Sequence, residues 1–155
     1  VNGQNDRREE GMSLIVKTIA RLTVGLSLLF GVYIALHGHF GPGGGFAGGV
    51  IIALSLIELV LAFGRERVWK KFGPEAALPL IGLGALIFLA IALFGYAAGA
   101  FFQSWLPAGQ RFALLGAGTI PLSEIAVALA VAGGIYIFFT VMSAFSSGHD
   151  DQEKP

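Results

Sequence analysis

The chain has 155 residues, no cysteine, ten basic against ten acidic side chains, and 55% apolar residues beside only 13% charged ones. Soluble domains of this size carry about a quarter of their residues charged, so the apolar surplus calls for lipid as its solvent. The neutral balance excludes a basic field for nucleic acid, and a chain without cysteine holds no disulfide, thiolate metal site or iron–sulfur cluster.

Residues 1–13 carry mixed charges, and no small-residue cleavage site follows the apolar stretch behind them. The expectation is a disordered tail and no secretory signal. Apolar windows follow at about Leu14–Leu36, Gly45–Phe63, Leu78–Phe102 and Pro121–Phe145. Each is long enough to cross about 30 Å of hydrocarbon at 1.5 Å per residue. They predict an all-α membrane protein with four transmembrane helices in a domain spanning 14–145, followed by a solvated tail at 146–155. Lys17 and Arg21 fall one turn apart in the first span and can snorkel along their own stems. Pro79 and Pro121 are placed in the first turns of their helices, where a missing N–H costs nothing. The connection "QSWLPAGQRFALLGAGTI", 103–120, is long; it either folds over the membrane surface, docks on a neighbour or forms a loose interfacial loop.

Orientation follows from the basic residues. Arg7, Arg8, Lys17, Arg21, Arg65, Arg67, Lys70, Lys71 and Lys154 fall on one side of the four-span layout and Arg111 alone on the other. Nine against one predicts cytoplasmic termini and a cytoplasmic 64–77 loop in a multi-pass protein of the cell membrane. Trp69 and Trp105 then serve as aromatic anchors at opposite headgroup belts.

Between the first two spans lies "HGHFGPGGGFAGG", residues 37–49, with seven glycines and two of the three histidines. A phosphate cradle needs a preceding strand and a lysine, and no basic residue stands between Arg21 and Arg65. His37 and His39 are two residues apart with no third ligand nearby, too few for zinc, so no metal site is expected. They read as headgroup-level polar residues or, alternatively, as part of an ion or proton relay. Gly44 and Gly48, and Gly45 and Gly49, repeat small residues every four positions, which opens a flat face for a neighbouring helix. Pro42 stops the first helix, Gly43 to Gly45 permit backbone angles closed to bulky residues, and Phe46 is the one large side chain available as a wedge.

Two acids remain inside the spans. Glu58 lies about 8 Å from the cytoplasmic end of the second helix, where an unpaired carboxylate costs on the order of 2–3 kcal/mol. By the helical period it shares a face with Gly44, Ala47, Ile51, Ser55 and Ala62, a small and slightly polar seam. Lys17, Arg21 or a partner's lysine could neutralise it. Glu124, four residues into the last span near the outer surface, reads equally as a helix-terminal cap or as an ion-handling group. No Ser–His–Asp set or convergent polar cluster appears, so no catalytic residue is assigned and a transport rather than an enzymatic role is expected.

"PGGGFAGGVI" with its upstream histidine resembles the signature of the B subunit of Mrp-type, or Mnh-type, multisubunit Na+/H+ antiporters. "GAGTIPLSEIAVALAVAGG" is similar to the element leading into that family's last helix. The resemblance covers about residues 14–145; the basic 65–71 loop and the 100–118 loop depart from many relatives. It implies a subunit without a cofactor, packed through its Gly-rich second helix against other membrane subunits of an Mrp-type or hydrogenase-type complex. Glu58, Glu124, His37 and His39 are then candidates for a path carrying Na+ or H+. The alternative it leaves is a purely structural subunit in the membrane arm of a redox-driven ion-pumping complex.

Overall fold

A computed structural model describes residues 14–41, 43–104, 106 and 117–150, with the backbone alone at Leu14, His39 and 146–150. Helix α1 runs Leu14–His37 and continues as a 3-10 turn at Gly38–Phe40. Helices α2 (Gly44–Phe63), the short α3 (Arg65–Trp69), α4 (Pro74–Phe94, extended by a 3-10 turn at Gly95–Ala98) and α5 (Ile120–Asp150) complete the chain. Four of these helices, α1, α2, α4 and α5, are long and apolar enough to cross a membrane. The 1–13 tail, Pro42, Trp105, Arg111 and most of the 103–120 connection lie outside the described residues.

Three boundaries differ from the sequence expectation. The third span starts at Pro74 rather than Leu78, because Gly73 is extended and Pro74 takes the first helical position. Pro79 therefore sits inside α4 and not in its first turn. The same span ends early: its last turn tightens to 3-10 at Gly95 and the chain leaves at Gly99, φ 119°, a backbone region that glycine enters freely. The fourth helix continues to Asp150, beyond the apolar window that defined it.

The spans are arranged in the neighbour order α1, α2, α5, α4. Small residues make each contact. A Cβ on Gly48 would meet the Gly31 carbonyl at 2.7 Å and Ala35 Cβ at 2.8 Å, so α1 and α2 pack antiparallel with their backbones nearly touching. Gly84 would meet the Ala126 carbonyl at 2.6 Å and Gly133 the Ala77 carbonyl at 2.9 Å, which makes α4 and α5 antiparallel neighbours too. Between these pairs, α2 and α5 run parallel. A Cβ on Gly45 would strike the Glu124 carbonyl, and one on Gly49 would lie 2.7 Å from the Ala128 carbonyl. Ala53 and Ala132, both buried, continue the two rows at the same spacing.

This is the inverse of a soluble core. The interior is mostly alanine and glycine with Ser55, Thr119 and Thr140, while Leu26, Leu29, Leu86, Leu89, Leu93 and Phe138 point outward. In lipid, apolar side chains gain nothing by facing each other, so association rests on close backbone packing. One larger buried cluster, Val60, Val68, Ala77 and Tyr136, closes the end of the bundle that carries α3. There the Tyr136 hydroxyl donates to the Phe72 carbonyl at 2.6 Å and ties α5 to the connection between α3 and α4.

Candidate functional site

α2 and α5 run parallel, and α5 is the longer, so both ends of α2 lie against the body of α5. An acid at the N-terminal end of a helix and a base at its C-terminal end complement the helix dipole, each worth about 0.3–1 kcal/mol and up to ~2 when partly buried. Both are present. At the end where α2 begins, the Gly45 N–H donates to Oε2 of Glu124. Glu124 is the fifth residue of α5, past the first turn of its own helix, and it reaches across 79 positions to cap α2.

The glycine run explains how the carboxyl fits. Gly43 (φ 123°) and Gly44 (φ 54°) turn the chain into α2 through backbone angles that side chains strongly disfavour. A Cβ on Gly44 would strike the Glu124 carboxylate, and one on Gly38 would come within 3.1 Å of its carboxyl carbon. Gly38, Gly44 and Gly45 thus form a cradle for one carboxylate. Phe46, by contrast, is 63% exposed and points out of the bundle, so it is not a wedge within this chain.

At the opposite end, the Arg65 guanidinium donates to the Ser143 carbonyl of α5 and lies 5.0 Å from the centre of the Trp69 ring. Arg65 follows α2 directly, past Gly64, and so links the C-terminal part of the same helix pair. From the sequence it counted only toward membrane orientation; its position right behind a span that ends on glycine was the available signal. Replacing Arg65 by glutamine is expected to lower the stability of the detergent-solubilised protein by about 1–2 kcal/mol, read as a fall in melting temperature.

The histidines are less connected. His37 closes α1; its Nδ1–H donates to the Tyr33 carbonyl at 3.0 Å and its ring stacks on Tyr33 at 4.2 Å. The side chain of His39 is outside the described set. Among the described residues no three His, Asp or Glu side chains converge on a metal-sized site.

Glu58 stands apart from Glu124. It is half-buried on α2 and lines an open groove of about 300 Å³ with Val16, Ile19 and Ala20 of α1 and Leu61 and Ala62 of α2. Ser55, Ala62 and Gly44 on the seam expected to share its face are buried, whereas Glu58 opens sideways between α1 and α2. It makes no ion pair or hydrogen bond with a described residue, and Arg21 is turned instead over the Phe63 ring at 5.3 Å. The two intramembrane acids are therefore not brought together: one is enclosed by backbone, the other faces outward.

Four lipid-length helices with a glycine-packed interior define a multi-pass membrane protein. Residues 15–137 match the domain related to the MnhB subunit of Na+/H+ antiporters, and the chain belongs to that family as a multi-pass protein of the plasma membrane. It is 34% identical over 138 residues to the putative antiporter subunit mnhB2 of Staphylococcus epidermidis, covering 87% of this chain and 95% of that one. The corresponding protein of Staphylococcus aureus strain Newman is 32% identical over the same shares. Among solved structures, a chain of the membrane-bound sulfane sulfur reductase, an archaeal respiratory membrane complex, superposes with a TM-score of 0.69 at 27% identity. That alignment covers 86% of this chain, which spans 61% of the respiratory subunit.

Proposed function

We propose that this chain is a membrane subunit of a multisubunit cation/proton antiporter and contributes Glu58 to an ion path that a neighbouring subunit completes. The observation that carries this is the half-buried Glu58 carboxyl in the α1–α2 groove, which has no hydrogen-bond or ion-pair partner among the described residues. A carboxylate at that depth costs on the order of 2–3 kcal/mol against acyl chains, so water or another subunit's polar group belongs there. Glu58 forms no ion pair with Lys17 or Arg21 of α1, and Arg21 is turned over the Phe63 ring; in this reading the cation that meets the carboxyl on the open side of the groove is supplied by a neighbouring subunit. The excess of basic residues at the α3 end supports a cytoplasmic location for that end. In this reading Glu124 is a cap within the chain, and His37 and His39 are outer-surface residues that take no step in transport.

Glu58→Gln keeps shape and hydrogen bonding but removes the titratable charge. Na+-dependent proton movement in inverted vesicles is expected to fall at least about tenfold while the complex still assembles, the size seen when an activated acid–base group is lost. An unchanged rate would remove Glu58 from the path. A second reading, a purely structural subunit, draws on the fact that Glu124 and Arg65 are both engaged inside the chain and on the similarity to a respiratory complex subunit. Under it, Glu58→Gln changes neither assembly nor transport.

A further inference from the structure

Lys17, Arg21, Arg65, Arg67, Lys70 and Lys71 crowd the end of the bundle that carries α3. Arg65 is engaged by Ser143 and Trp69. Arg21, Arg67 and Lys71, from α1, α3 and the connection after it, converge instead on a groove of about 270 Å³. Its floor is Leu59, Phe63, Val68 and Phe72. Phe63 is the last residue of α2, so the groove straddles the level at which the membrane-spanning helix ends. Leu59 carries the apolar floor one turn back into the span. Arg21 starts about 10 Å inside α1, yet its guanidinium is held at the rim, 5.3 Å above the Phe63 ring. None of the three cations forms an ion pair with a described residue.

We propose that this groove binds one anionic phospholipid, the phosphate between Arg21, Arg67 and Lys71 and an acyl chain along Phe63 and Leu59. Cation pockets between transmembrane helices at the headgroup level select lipids of this charge. A free phosphate gains nothing from the apolar floor. A zwitterionic headgroup brings an ammonium against three cations that have no acidic partner among the described residues. The proposal is independent of Glu58, which lines the other groove, with Val16, Ile19 and Ala20.

The test uses the assembled complex carrying this chain, extracted in mild detergent, stripped of lipid by exchange and titrated with phosphatidylglycerol or phosphatidylcholine of the same acyl chains. Bound lipid is counted by native mass spectrometry. The expected result is one phosphatidylglycerol more per complex than in the R67Q/K71Q variant, with inorganic phosphate failing to compete. Each neutralised charge weakens binding about fivefold, so the double variant loses about 25-fold, and the swap R67K/K71R restores it. Arg67 and Lys71 are both exposed, so the variant is expected to keep its fold. Equal binding of the two lipids, or undiminished phosphatidylglycerol in R67Q/K71Q, overturns the proposal. So does zero-length carbodiimide coupling of Lys71 to a neighbouring subunit in the lipid-replete complex, because protein then fills the groove.

Discussion

Gly49→Leu is expected to abolish the folded subunit or cost at least about 3 kcal/mol, the upper range for forcing volume into a packed interior. The Cβ alone would lie 2.7 Å from the Ala128 carbonyl and 2.9 Å from Val131 Cβ, and neither helix can retreat without losing its neighbours. The remaining three carbons of leucine have nowhere to go. Gly82→Leu is the internal control: nothing lies within 4 Å of a Cβ there, and its melting temperature should match the parent or rise slightly as helix propensity improves. Thermal melting of the solubilised protein, together with the fraction of chain recovered in the assembled complex, separates the two. Equal losses for both variants would show that glycine is needed for something other than the approach of α2 to α5.

The second large effect concerns Glu124. Glu124→Ala leaves the Gly45 N–H without its acceptor and empties the cradle, a loss of about 1–3 kcal/mol for an orphaned buried donor. Glu124→Gln keeps an oxygen in the same place and forfeits only the charge facing the positive end of α2, about 1 kcal/mol. Transport in the assembled complex is expected to follow stability, so that the glutamine variant remains active. A glutamine variant that assembles fully but no longer moves ions would instead place Glu124 on the path, beside Glu58. The pair of substitutions thus decides between the two roles that the sequence left open for this residue.

Much of the fold was legible because lipid imposes a length and a polarity on each helix: the four spans follow from runs of apolar residues, and their number and order needed nothing else. The misplacement of Pro79 came from hydropathy favouring the apolar stretch after Leu78 over the start supplied by Gly73 and Pro74. The glycine repeat in 44–49 announced a close approach but not its partner. Periodicity within one helix says which face is flat, and nothing in it points to Ala128 or Glu124, some 79 residues away. For the same reason the capping role, one of the two open to Glu124 in the sequence, pointed to its own helix and not to α2. Glu58 was identified as unusual from depth alone, while its sideways exposure depends on how α1 leans against α2.

The parallel pairing of α2 with α5 also bears on how the molecule comes together. α1 with α2, and α4 with α5, are each consecutive antiparallel hairpins, closed by connections far shorter than the stretch that separates α2 from α5. The joint between them is the long-range event. It carries the two locks, Glu124 on Gly45 and Arg65 on Ser143, one near each end of the seam. Loss of either lock is therefore expected to loosen one half of the subunit from the other before either hairpin unwinds.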